Sequence, residues 1–145
     1  MVGMEPVAEL VMRHSSLQAT VVEGAEVPVL IDELPLVALL GAFAEGTTVV
    51  SGAAELRHKE SDRIATVVEG LRALGAKIEA RPDGFAVEGA GGLSGGVLDA
   101  AGDHRLAMLG AVAGLSSRNG VKVLGAEAAS VSYPAFFGDL ARLTA

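Results

Sequence analysis

Two stretches of the chain read alike. Placing Gly52 on Gly125 sets GTTVVSGA against NGVKVLGA. In both places the short strand-like run follows an apolar helical segment opened by an aspartate, Asp32 or Asp103, and precedes another helical segment. A repeat of roughly 70 residues exceeds solenoid periods. The alternation of strand and helix signals instead predicts an α/β (α+β) fold with helices packed on mixed sheets.

The elements follow from local chemistry. Apolar and β-branched runs at 7–12 and 17–22, broken by His14-Ser15-Ser16, predict extended segments joined by a turn. Residues 34–44 have helical length and composition, with Asp32 as a candidate N-cap, Pro35 in the tolerated first turn and Gly46 past the end. Residues 47–51 read as a buried strand. Over 60–74, Ile64, Val67, Val68, Leu71 and Leu74 fall on one helical face before Gly75. The runs 77–80 and 85–88 flank Arg81-Pro82-Asp83-Gly84, whose turn chemistry makes them a hairpin. Residues 104–115 predict a helix capped by Asp103, Val121–Leu124 a strand after Asn119-Gly120, and 134–143 a last helix.

The unit is therefore strand, helix, strand, helix, hairpin. We read one domain over 1–145, made of a truncated unit at about 5–76 and a second at about 77–145. No helix precedes the strand at Val7, so the opening strand is expected to leave an exposed edge.

Composition narrows the function. With 145 residues, half of them apolar, the chain is long enough to bury a core. Four Phe and one Tyr leave that core to Val, Leu, Ala and Ile. A formal charge of −7 without a long basic run argues against a nucleic-acid binder, so any cationic site must be local. Zero cysteines exclude disulfides and thiolate metal sites and fit a reducing compartment, with the cytoplasm as the default. No signal peptide is visible at the N-terminus, and the most apolar stretch, 34–44, is far short of the roughly 20 residues a bilayer span needs. His14, His58 and His104 lack metal-ligand spacing and read as turn or surface residues.

Charge is densest in Arg57-His58-Lys59-Glu60-Ser61-Asp62-Arg63, at the predicted start of a helix. A helix N-terminus favours anions and disfavours cations. With Lys59 and Arg63 four residues apart on one helix face, a bound phosphate would relieve their repulsion. A solvated helix start, with Glu60 and Asp62 pairing the cations, explains the same residues equally well. Gly102-Asp103-His104-Arg105 opens another helix, with Arg105 beside an apolar run: its fork suits carboxylate or phosphate, while Asp103 serves as a plain N-cap. Asp32 carries the same ambiguity between cap and general base.

Three motifs in order, IDELP ahead of an apolar helix and GTT, then RHKESDR, then DHRLAM, resemble the 5-enolpyruvylshikimate-3-phosphate synthase family. The resemblance covers the chain from about Glu5 and corresponds to the C-terminal third of that family's chain. It implies an enolpyruvyl transferase fold of repeated β-α-β-α-β-β units. It also implies transfer of the enolpyruvyl group from phosphoenolpyruvate to the 5-hydroxyl of shikimate 3-phosphate, through a tetrahedral adduct that loses phosphate.

By that resemblance, Asp32 contacts the shikimate hydroxyl and accepts its proton, Lys59 contacts the same substrate, and Glu60 handles the second proton. Arg63 and Arg105 match the arginines that grip the phosphoenolpyruvate anions. No cofactor and no metal are implied. The expected partners are the two small-molecule substrates and the family's N-terminal domain, not nucleic acid or membrane. Glu55 stands where some members have a substrate-contacting Asn, and Val131 where some have Lys, so neither is taken into the site. The sister family that transfers enolpyruvate to UDP-N-acetylglucosamine is similar in fold but lacks the Lys-Glu-Ser-Asp-Arg run. Alternative readings are an anion-binding module, or a half-enzyme that assembles with a separate partner; the isolated chain is expected to be inactive.

Overall fold

A computed structural model describes residues 7–145. The chain is α/β, with two sheets among the described residues and the helices packed on them. The first sheet has the order β1-β2-β4-β3, from β1 (Val21–Val22), β2 (Thr47–Val50), β3 (Lys77–Arg81) and β4 (Gly84–Glu88). β1 runs parallel to β2, with Val21 opposite Val49, and β4 runs antiparallel to β2, with Val50 opposite Phe85. Pro82 and Asp83 close the β3–β4 hairpin, with Arg81 opposite Gly84. The second sheet holds β5 (Gly96–Asp99) and β6 (Val121–Leu124), parallel, with Leu98 opposite Val123.

Five α-helices complete the described residues: α1 (Glu26–Leu30), α2 (Leu34–Gly41), α3 (Arg63–Ala73), α4 (His104–Ser116) and α5 (Phe136–Leu143). The predicted apolar face of α3 is buried, with Ile64, Val67, Val68 and Leu71 at most 2% exposed. They join Phe85 and Val87 of the hairpin and Leu98 of β5 in one core. Each such side chain contributes about 1.5–3 kcal/mol by leaving water. Gly70 lets the second sheet approach α3: a Cβ there would lie 3.1 Å from the Leu98 side chain.

The structure departs from the sequence reading at several places. Residues 7–12 form no strand and are exposed, and the expected strand over 17–22 reduces to β1 and a single bridge between Gln18 and Glu45. β1 is the sheet edge, so the exposed edge belongs to it and not to the strand expected at Val7. The hairpin, expected at the start of the second unit, pairs with β2 in the first sheet. α1, β5 and two 3-10 segments, Ala54–His58 and Ala126–Val131, had no sequence expectation.

Two corrections bear on the site. Asp32 does not cap α2: Glu33 occupies that position without a side-chain cap bond, and Asp32 turns to arginines instead. The helix expected from Glu60 begins at Arg63, because the Asp62 side chain accepts from the Ala65 N–H and caps it there. Lys59 therefore lies outside α3 in extended backbone and shares no helix face with Arg63.

Candidate active site

Three polypeptide turns converge on one side of the molecule: the link from α1 to α2, which carries Asp32, and the starts of α3 and α4. At their meeting point Arg63 is 1% exposed, a position a guanidinium holds only when its donors are satisfied. Its Nε donates to Asp103 Oδ2 at 2.9 Å, its Nη1 to Asp32 Oδ1 at 3.1 Å, and its Nη2 to Glu60. One cation thus fixes three carboxylates drawn from three segments.

Asp32 is the shared member. Its second oxygen, Oδ2, accepts from Arg105 Nη2 at 3.0 Å, while Arg105 Nη1 stands 3.8 Å from Glu33. Each oxygen of Asp32 therefore meets a different arginine. Asp32 and Arg105 keep 39% and 31% of their side-chain surface open, and Glu60 keeps 48%, so the cluster presents a wet face above a dry one.

Asp103 makes the dry face. It is fully buried, and both its oxygens are occupied by donors: Oδ1 by the Arg105 N–H at 2.9 Å, Oδ2 by Arg63 Nε and by the Ser61 hydroxyl at 3.1 Å. Burial is the largest influence on this carboxyl and alone would push its pKa up. The Arg63 hydrogen bond, the Arg105 N–H, the Arg63 charge and Ser61 together outweigh it and hold the pKa below the ordinary carboxylate value.

All five residues expected from the sequence lie in this region, in different states. Asp32, Glu60, Arg63 and Arg105 form one connected cluster. Lys59 pairs with Glu55 at 3.0 Å instead of with the cluster, and Arg63 is committed to carboxylates through all three of its nitrogens. Arg57, from the same charged run, fastens the hairpin turn by donating to the Pro82 and Arg81 carbonyls at 2.8 and 2.7 Å. Two members were not assigned from sequence. Asp103 appeared there only as a cap, and Ser61 carried no signal, because a cap that also takes a buried ion pair looks no different from a plain cap.

A family model described as EPSP synthase (3-phosphoshikimate 1-carboxyvinyltransferase) matches residues 1–140. The chain belongs to the EPSP synthase family. A 3-phosphoshikimate 1-carboxyvinyltransferase of Roseiflexus castenholzii is 53% identical over 141 residues, covering 97% of this chain and 33% of that protein. One from a Thermotoga species is 50% identical over 142 residues, covering 97% and 34%. The solved structure of EPSP synthase from Acinetobacter baumannii superposes with a TM-score of 0.82 at 36% identity, over 88% of this chain and 30% of that one. The chain therefore spans about a third of the length of the EPSP synthases it matches. No helix among the described residues is long and apolar enough to cross a membrane.

Proposed function

We propose that this chain supplies, within a longer protein, the part of an active site that transfers the enolpyruvyl group from phosphoenolpyruvate to the 5-hydroxyl of shikimate 3-phosphate, releasing phosphate. The observation that carries the reading is Asp32, partly open to solvent and held on separate oxygens by Arg63 and Arg105, with Glu60 on the same guanidinium.

The reaction needs a hydroxyl to lose a proton as its oxygen bonds to C2 of the enolpyruvyl group, and it needs C3 to gain one. The resulting tetrahedral adduct then expels phosphate as C3 gives the proton back. Asp32 is the acceptor for the hydroxyl proton, since its two arginine bonds orient the carboxylate while leaving a third of its surface accessible. Glu60 is the group for the C3 proton, held by Arg63 beside Asp32. Arg105, more exposed than Arg63, is the cation placed to meet an incoming anion, and Lys59 reaches substrate by leaving Glu55. Arg63 acts chiefly by orienting the two carboxylates; it donates to substrate when Glu60 or Asp32 turns away. The remaining contacts come from the other two thirds of the protein, which we place in the cytoplasm.

The test is Asp32→Asn in the complete enzyme. Because Asp32 caps no helix, the folded state keeps its Tm within a few degrees, while kcat falls by about 10²–10⁴ with loss of the base. Unchanged turnover rejects the role, and strong turnover by the 145-residue chain alone rejects the assignment of a partial site.

A further inference from the structure

Glu60 and Ser61 stand between the 3-10 segment Ala54–His58 and α3, and belong to neither. Among the described residues, neither makes a hydrogen bond through its backbone. A stretch without ladder bonds belongs to the mobile part of a structure unless side chains tie it down. Here they do. Glu60 accepts from Arg63 Nη2, and the Ser61 hydroxyl donates to Asp103 Oδ2 at 3.1 Å while lying 3.2 Å from Thr66 Oγ1 in the first turn of α3.

These bonds close a ring. Arg63 Nε ends on the same oxygen, Asp103 Oδ2, at 2.9 Å. The ring runs from the Glu60 carboxylate through Arg63 to Asp103, then through the Ser61 hydroxyl to the main chain, and back along one peptide to Glu60. One carboxylate oxygen therefore holds Glu60 by both ends, its side chain through a guanidinium and its main chain through a hydroxyl. Asp103 suits the part of pivot, being fully buried and fixed to the start of α4 by the Arg105 N–H on Oδ1. The local use of Ser61, as cap of α3, is already filled by Asp62, whose side chain accepts from the Ala65 N–H. The Ser61 bond is also not needed to satisfy Asp103, because Arg63 and the Arg105 N–H already occupy its two oxygens. The hydroxyl is spent 42 residues away, on the carboxylate that anchors Arg63.

We propose that Ser61 is a positioning residue for Glu60: its bond to Asp103 fixes where the Glu60 carboxylate stands relative to the substrate carbon that gains and loses a proton. The inference rests on the role given to Glu60 above. Ser61 itself exchanges no proton with substrate. Its contribution is greatest once Arg63 turns a nitrogen to the ligand, because the ring then opens on its side-chain half and the hydroxyl is the tie that keeps the Glu60 main chain in place.

Steady-state kinetics of the complete enzyme test this with Ser61→Ala, Ser61→Thr, Glu60→Gln and the Ser61→Ala, Glu60→Gln double variant. Ser61→Ala lowers kcat by at least about tenfold, the scale of a small misplacement of a reacting group, and leaves KM for phosphoenolpyruvate within about twofold. Ser61→Thr keeps the hydroxyl and recovers most of that loss. In the Glu60→Gln background, Ser61→Ala costs less than about twofold more, since a residue that acts through Glu60 has nothing left to position there. A merely structural role carries its full loss into that background, and this result overturns the inference. So does a Ser61→Ala enzyme with parental kcat, one whose loss lies in KM alone, or a Thr variant as slow as the Ala one; each leaves the role of Glu60 standing. Parental turnover by Glu60→Gln rejects that role, and the inference with it.

Discussion

Asp103→Asn is the substitution that most directly probes the buried half of the cluster, because it changes one atom type and almost no volume. Both Asp103 oxygens face donors: the Arg105 N–H on one side, Arg63 Nε and the Ser61 hydroxyl on the other. An asparagine offers one oxygen and one NH2. Whichever way the amide turns, a buried donor meets a donor, so either the cap of α4 or the anchor of Arg63 is lost. Leaving one such group unsatisfied costs about 1–3 kcal/mol, and we take about 2 for the Asn variant.

Asp103→Ala loses both: a cap worth about 1 kcal/mol and a broken buried pair at the low end of about 3–5 kcal/mol, since Asp32 and Glu60 still hold Arg63. For a chain of 145 residues these convert to Tm losses of roughly 6 °C and 12 °C. Thermal and urea unfolding at pH 7 read both. The pH dependence adds a second criterion. The folded pKa of Asp103 is depressed, so its contribution is fully present above the unfolded value near 3.9 and disappears as pH falls through the lower folded value. The gap between parent and Asn variant therefore closes only below about pH 4. An Asn variant within 0.5 kcal/mol of the parent at pH 7 would refute the claim that both oxygens are engaged by buried donors.

Three further outcomes follow from the same structure. Gly89→Ala places a methyl 1.6 Å from the Ala44 carbonyl oxygen and forces backbone movement, so we expect a loss above about 3 kcal/mol or failure to fold; Gly138→Ala, with nothing within 4 Å, raises helix stability by up to about 1 kcal/mol, and unfolding curves compare the two. Arg105→Ala costs under about 1 kcal/mol in this chain because its pairs are partly exposed and Asp32 keeps Arg63, yet in the complete enzyme it raises KM for phosphoenolpyruvate by at least about tenfold; an unchanged KM removes Arg105 from anion binding. Asp62→Ala removes the cap of α3 and its partly exposed pair with Arg57, lowering stability by about 1 kcal/mol in urea titration, and no change there shows that Ser61 or water replaces the cap.

What the sequence made legible was what local chemistry decides. The β2, β4 and β6 strands, the Pro-Asp-Gly hairpin and the capped helix α4 follow from β-branched runs, turn dihedrals and an N-cap, and all appear where expected. β5 was invisible because it follows Gly95 and opens on Gly96, both with positive φ, and its strand character comes only from pairing with β6. The run at 7–12 failed for the converse reason: apolar composition predicts burial, but a strand needs a partner, and none among the described residues reaches it. In the site, residue types were readable and their states were not. Asp32 looked like a cap because a carboxylate ahead of a helix usually is one; two arginines from distant segments redirect it. Lys59 and Arg63 looked like helix neighbours because spacing was counted from Glu60, yet Asp62 is the better cap and starts the helix three residues later.

Charge at the site limits what this chain accomplishes by itself. Asp32, Glu60 and Asp103 set three negative charges against the two positive charges of Arg63 and Arg105, and Lys59 is already neutralised by Glu55. A ligand carrying phosphate and carboxylate groups meets a local excess of negative charge, on a chain whose net charge is −7. Under the proposed function this excess has a use: Arg63 holds the two carboxylates in place until substrate arrives. Binding then depends on cations brought by the rest of the protein, and on Glu60 or Asp32 yielding an arginine nitrogen to the ligand as it closes. The exchange couples anion capture to release of the carboxylates that move protons, so the chemical groups become free only when both substrates and the remaining domain are in place.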